Sequence, residues 1–389
     1  MVNKTALLGA AFLMATSAIG PGFLTQTATF TGQLLASFGF VILISIILDV
    51  GAQLNIWRII GVARKRGTEI ANIVFPGLGY LIAFLIAAGG FVFIIGNIAG
   101  AGLGMNLVFN ISIQNGVIIS AIIAITIFLS KKASELMDKF IVMGGFIMIV
   151  LTTYVAFESK PPLKEAILRT FIPSHINIVA IITLVGGTVG GYIVFSGAHR
   201  LLDAKLSGKE NLNHINKAAI SGIIITGIMR VMLFLAVLGV VSTGFTLDIN
   251  NPAGSIFGEV LGELGLKIFG IVLWIAAISS VIGAAYTSVS FICSFHSLVE
   301  KYNRFVVIFF IIFATIVFCI MGESPTRLLI VAGTINGWIL PITLFVMIIA
   351  AHKKSIVGEY KHPKWMSVFG LFIVALMSYL SILTMIKLF

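Results

Sequence analysis

Apolar stretches of about 20 residues, each near the thickness of a bilayer core, follow one another along the whole chain with short polar connections between them. A backbone in hydrocarbon must satisfy its own N–H and C=O groups, and consecutive stretches of this length do so as helices. Only 10% of the 389 residues are charged and mean hydropathy is +1.13, against about 25% charged in a soluble domain. The chain lacks the polar surface that water requires, so an all-α, multi-pass integral membrane protein is predicted.

Eleven spans are predicted, at 6–35, 38–60, 78–109, 116–130, 140–157, 176–201, 220–244, 265–295, 305–321, 328–351 and 366–388. The first apolar run is too long for a cleavable signal and reads as a span. The net charge of +11 reflects topology and not a nucleic-acid partner. With the N-terminus in the cytoplasm, 18 Lys and Arg fall in inside segments and 6 outside, leaving Arg230 within a span. That bias places the N-terminus inside and the C-terminus outside, the expected membrane being the bacterial plasma membrane. Cys293 and Cys319 lie in apolar runs and read as small buried hydrophobes, with no metal or redox motif.

The first and sixth spans are both interrupted by glycine, and each opens a block of five. Two blocks of odd length must run in opposite directions across the membrane, as in the inverted repeats of many secondary transporters. The chain is expected to form one transport domain: repeat one at 6–157, repeat two at 176–351 and an extra helix at 366–388. In the first break, Gly20-Pro21-Gly22 removes a donor and relaxes the helix, with Thr25, Gln26, Thr27, Thr29 and Thr31 behind it. Unwound backbone at membrane depth persists where it lines a cavity or is buried in protein. Its free amides favour anionic groups and its free carbonyls favour cations. The matching segment, 184–204, holds Gly186, Gly187, Gly190, Gly191 and Gly197. These glycines mark either a second break or close helix packing through small residues, and both are compatible.

At these segments the chain resembles the NRAMP family of proton-coupled divalent metal transporters, and the resemblance extends over nearly the whole chain in span order. It implies a LeuT-like fold with helices 1 and 6 broken. Ser279-Ser280 with Gly283, Leu340-Pro341 and the run Met105-Asn106-Leu107-Val108-Phe109 are family-like. The family's metal ligands are not kept: Gly20, Phe23, Gly187 and Gly190 stand where an aspartate, an asparagine, a backbone carbonyl and a methionine would lie, and Ile339 matches a glutamine. Without carboxylate or thioether a divalent ion has no suitable ligand set. The larger space, walled by Phe23 and Tyr192, suits a small organic solute, carboxylate or amino-acid-like, with 5-oxoproline as an example. The competing expectation is a divalent cation, Mg2+ or Mn2+; a membrane receptor is a third.

The expected substrate site therefore comprises Gly20, Pro21, Gly22, Phe23, Thr25, Gly187, Gly190, Gly191, Tyr192 and Asn336, with Gly187 and Gly190 facing the cavity. Candidates for ion coupling by a proton or sodium are Asp49, Arg230, His199, Ser279 and Ser280. Charges inside a membrane face a cavity or a partner. Asp49 is a coupling-proton candidate or half of a structural pair. Arg230 holds a substrate carboxylate, fixes Asp49 or lines an inner vestibule. His199 is a proton station or a helix-end cap; Ser279 and Ser280 bind sodium or join helices; Asn336 lines the cavity or packs. No phosphate loop, catalytic triad or zinc spacing occurs, so neither enzyme activity nor a cofactor is expected.

Overall fold

The computed structural model describes residues 19–203, 205–293 and 297–388. Among the described residues every regular element is helical. Nine of the described stretches are long and apolar enough to cross a membrane, and the 17-residue helix Ile113–Leu129 is a shorter apolar one. The stretch Pro21–Ala63 is two helices, α1 (Pro21–Leu34) and α2 (Phe38–Ala63), parted by a tight turn at Leu35–Ser37. Counted so, the helices match the eleven expected spans, and residues 6–18 of the first lie outside the described residues.

After α2 come α3 (Gly67–Val74), α4 (Leu78–Phe109), α5 (Ile113–Leu129), α6 (Lys131–Glu158) and α7 (Leu163–Phe171). The sixth span is two helices, α8 (Ile178–Thr188) and α9 (Tyr192–Asp203). Then follow α10 (Leu212–Val241), α11 (Pro252–Cys293), α12 (Ser297–Lys301), α13 (Asn303–Met321), α14 (Pro325–Ala350), α15 (Lys354–Val357) and α16 (Lys364–Leu388). Four short helices, α3, α7, α12 and α15, were not expected from apolar length. Several spans also extend beyond their expected ends, α10 among them, which starts at Leu212 and not at 220. Lys131–Lys139 continues α6, whose start is capped by the Ser130 hydroxyl accepting from Ala133 N–H at 3.3 Å. Residues 252–264 continue α11, which bends at Gly262 where φ is +67°.

The broken span is the centre of the bundle. Within the apolar window of Ile178–His199, 89% of residues are buried, against 28% for Lys139–Glu158, 28% for Asn303–Met321 and 33% for Lys364–Lys387. Those three lie at the periphery of the bundle. Small residues bring the central backbones together. A Cβ at Gly104 of α4 would sit 2.8 Å from the Gly270 carbonyl of α11. One at Gly186 of α8 would collide with the Gly333 carbonyl of α14.

Candidate functional site

At the first break, Gly20 is extended (φ −100°, ψ −173°) and Pro21 begins α1 with no side-chain cap at Gly20. Proline suits this first helical position because its missing donor would be unpaired there. The amides of Gly22 and Phe23 open the helix without intrahelical partners. At the second break, Val189 leaves the helical region (φ −129°, ψ 2°) and Gly191 turns left-handed at φ +49°. α8 stops there: Val185 O accepts from both Val189 N–H at 2.9 Å and Gly190 N–H at 3.1 Å, so the i→i+4 ladder ends at Val185.

Four elements meet between the breaks. Arg230 of α10 is 2% exposed, and its guanidinium carbon lies 4.5 Å from the centre of the Phe23 ring on α1. Its Nη1 donates to Thr188 Oγ1, the end of α8, at 3.1 Å, and Thr188 donates to Leu184 O at 2.8 Å. The Thr188 hydroxyl also faces Asp49 of α2, which is 1% exposed and lies in the field of Arg230. Arg230 Nε and Nη2 and Asp49 Oδ1 are buried without a hydrogen-bond partner. Asp49 and Arg230 thus meet at Thr188.

Beside this quartet, Gln26 and Asn336 lie against the second break. Gln26 Nε2 donates to Leu329 O at 2.9 Å, while Asn336 Nδ2 donates to Gly89 O at 3.0 Å and Ala332 O at 2.9 Å. A Cβ at Gly187 would come within 2.6 Å of Gln26 Oε1, and one at Gly191 would strike Asn336 Oδ1. Tyr192 is buried, edge-on to Phe93 at 5.4 Å, and Thr25 is buried on α1. Gly190 departs from expectation. It does not face open space: a Cβ there would lie 2.5 Å from Gly186 Cα and 2.6 Å from Asn336 O. Its role is close backbone packing.

The ion-coupling candidates separate. Ser280 Oγ lies against Gly20, 2.9 Å from where a Cβ would stand, and is buried without a partner; Asn97 Oδ1 is 3.7 Å from the same point. Ser279 turns away. It donates to Ala276 O at 2.9 Å and lines a small apolar cavity with Ile19, Met148, Met229 and Val272. His199 lies apart from both breaks. Its Nε2 accepts from Gly67 N–H at 3.2 Å and its ring stacks on Phe291 at 5.0 Å, which ties α9 to the start of α3. Thr188 was not singled out from sequence, and Gln26 only as one of a polar row. Their signals were a threonine next to a glycine break and an amide within a span.

Among the described residues, no group of three or more His, Cys, Asp and Glu is placed to hold a metal ion. The buried guanidinium also opposes a cation in its neighbourhood.

The family model described as "Natural resistance-associated macrophage protein-like" matches residues 11–387. The chain is 57% identical over 379 residues to the membrane protein YcsG of Bacillus subtilis (strain 168), covering 97% of this chain and 94% of that one. It is 23% identical over 304 residues to the divalent metal cation transporter MntH of Vibrio campbellii, covering 74% of this chain and 70% of that one. Among solved structures, the manganese transporter of Eremococcus coleocola shares the fold with a TM-score of 0.74 at 15% identity, over 98% of this chain and 86% of that one. MhsT in complex with L-phenylalanine shares it with a TM-score of 0.65 at 17% identity, over 100% and 99%. A LeuT-like bundle whose sixth span is broken at its centre, and a family match spanning nearly every residue, lead to one conclusion: this integral membrane protein belongs to the Nramp family of transporters.

Proposed function

We propose that this chain is an ion-coupled secondary transporter that moves a small organic acid, carboxylate or amino-acid-like, by alternating access. The observation carrying this reading is Arg230. It is buried at the junction of the two breaks, stacked on Phe23, with Nε and Nη2 unpartnered. A guanidinium fork of this kind pairs with a planar carboxylate. The opening amides of α1 add donors of the same preference. Gly20, Pro21, Gly22, Phe23, Thr25, Gly187, Gly191, Tyr192 and Asn336 form the walls. Asp49, joined to Arg230 through Thr188, is the leading candidate for a coupling proton. Ser280 beside Gly20 is the candidate for sodium. The two repeats are 6–157 and 176–351, with the N-terminus inside and the C-terminus outside.

The second reading is a divalent cation, Mg2+ or Mn2+, which the kinship with MntH favours. Against it stand the lost ligands and the buried positive charge. The fold itself suits either cargo, since its solved neighbours include a manganese transporter and a protein holding L-phenylalanine. Thermal-shift and calorimetric titration of the purified protein distinguishes the two. Small carboxylic and amino acids, 5-oxoproline among them, are expected to stabilise it, and manganese to bind weakly or not at all. Micromolar manganese binding with no response to any acid would overturn the proposal.

A further inference from the structure

Arg230 accounts for one end of a small ligand, and two buried amides lie where the other end would sit. Both are oriented by their own bonds. Gln26 gives its NH2 to Leu329 O, and Asn336 gives its NH2 to two carbonyls, Gly89 O and Ala332 O. The opposite edge of each amide is then a pure acceptor. Gln26 Oε1 and Asn336 Oδ1 are both without a partner, in residues that are 0% exposed. Buried acceptors are nearly always satisfied, and an orphan calls for an explanation.

Position supplies one. The two oxygens abut Gly187, just before the unwound residues 189–191, and Gly191, the last of them; a Cβ at Gly191 would strike Asn336 Oδ1, and one at Gly187 would press on the Gln26 amide. Gln26 follows Phe23 by three residues on α1, so the two share a side of that helix. Gly187 precedes Thr188, which receives Arg230. Gln26 and the cation are thus neighbours along α1, and Asn336 Oδ1 meets the same break at Gly191, three residues beyond Thr188. A ligand bound by its carboxylate at Arg230 would have its adjoining atoms on this side of the break.

We infer that Gln26 Oε1 and Asn336 Oδ1 accept N–H groups of the transported acid, so the site selects acids with a nitrogen-bound hydrogen beside the carboxylate. The inference rests on the carboxylate reading above and adds the second half of the recognition. A site built around hydrogen-bond acceptors rejects analogues that leave them unpaired.

Four ring acids of similar size test it: proline, 5-oxoproline, cyclopentanecarboxylate and tetrahydrofuran-2-carboxylate, each titrated into the full-length protein. At least one nitrogen acid is expected to bind about tenfold or more tighter than the two without N–H. Gln26→Met, of similar volume, should shrink that preference to about threefold or less. Arg230→Met should lose all four. Equal binding of nitrogen and non-nitrogen acids by the wild type would overturn this inference and leave the carboxylate reading standing. A folded Gln26→Met variant that keeps the full preference would overturn it too. Failure of every acid would overturn both. Where a variant does not fold, the wild-type comparison decides.

Discussion

Arg230 sits with its guanidinium carbon 4.5 Å from the centre of the Phe23 ring, so a cation on α10 is held on an aromatic face at the first helix break. A desolvated cation–π contact contributes up to about 2 kcal/mol. Phe23→Leu is expected to lower stability by about 1–2 kcal/mol and to weaken acid binding, because the fork loses its platform. A melting curve read beside an acid titration checks both. An unchanged affinity would mean that Phe23 does not orient Arg230.

Removing one member of the Asp49–Thr188–Arg230 group strands the others. Arg230→Met is expected to cost about 3–5 kcal/mol, the usual cost of leaving a buried charge uncompensated. The double variant Asp49→Asn/Arg230→Met should be less destabilised than the sum of the two singles, since neither charge is then left alone. Additive losses would show that the two charges act independently.

Asp49→Asn also tests coupling. Proteoliposomes carrying this variant are expected to lose proton-driven accumulation of the acid while substrate exchange down its own gradient partly remains. Luminal acidification that still accompanies substrate uptake would leave Asp49 without a coupling role and turn attention to Ser280.

Glycine substitutions should divide by what surrounds them. Gly186→Ala would push a methyl group into the Gly333 carbonyl, and Gly190→Ala into the Gly186 backbone. Each is expected to destabilise by about 1–3 kcal/mol through overpacking. Gly283, with nothing within 4 Å of its missing side chain, should accept alanine without loss. Chemical or thermal denaturation of the three variants checks the order.

Acid should loosen one corner of the molecule. Asn55 gives its amide hydrogens to Gly51 O and Met366 O, so its Oδ1 faces His362 Nε2 at 2.9 Å, which must carry the hydrogen. His362 Nδ1 then accepts from the Tyr360 hydroxyl at 3.2 Å, which itself accepts from Arg58 Nε at 3.0 Å. Only the neutral ring fits this chain of bonds. Burial, with the charges of Arg58 and His352, pushes the His362 imidazole down to about 4. Between that value and about 6.5 the unfolded chain binds the extra proton. Stability from His362 is therefore full above pH 6.5 and lost as pH falls toward 4. The melting temperature of the wild type should drop across that window, and His362→Gln should flatten its share of the drop.

The eleven spans, the start of α1 at Pro21 and the break in the sixth span were legible from local chemistry. Twenty apolar residues can satisfy their backbone in lipid only as a helix, and Gly20-Pro21-Gly22 cannot continue one. The short helices α3 and α7 were not legible, because eight or nine residues of mixed polarity become helical only where they pack against something. Within the site, Asp49 and Arg230 stood out as charges in apolar spans. Thr188 did not, since a threonine in a helix has no signal until its partner is known.

What the sequence determined by itself is the membrane class, the family and the places where helices must break, since these follow from the order of the spans and their local chemistry and not from which spans touch. The tertiary structure alone decided which polar groups meet. Asp49 and Arg230 are 181 positions apart and come together at Thr188; Gln26 reaches a carbonyl 303 positions away. It also decided which glycines face neighbouring backbone. Gly190 is closed by Gly186 and Asn336, while Gly187 faces the orphan oxygen of Gln26. Helix packing sets these distances, and packing depends on every span at once, so no single stretch of sequence carries them.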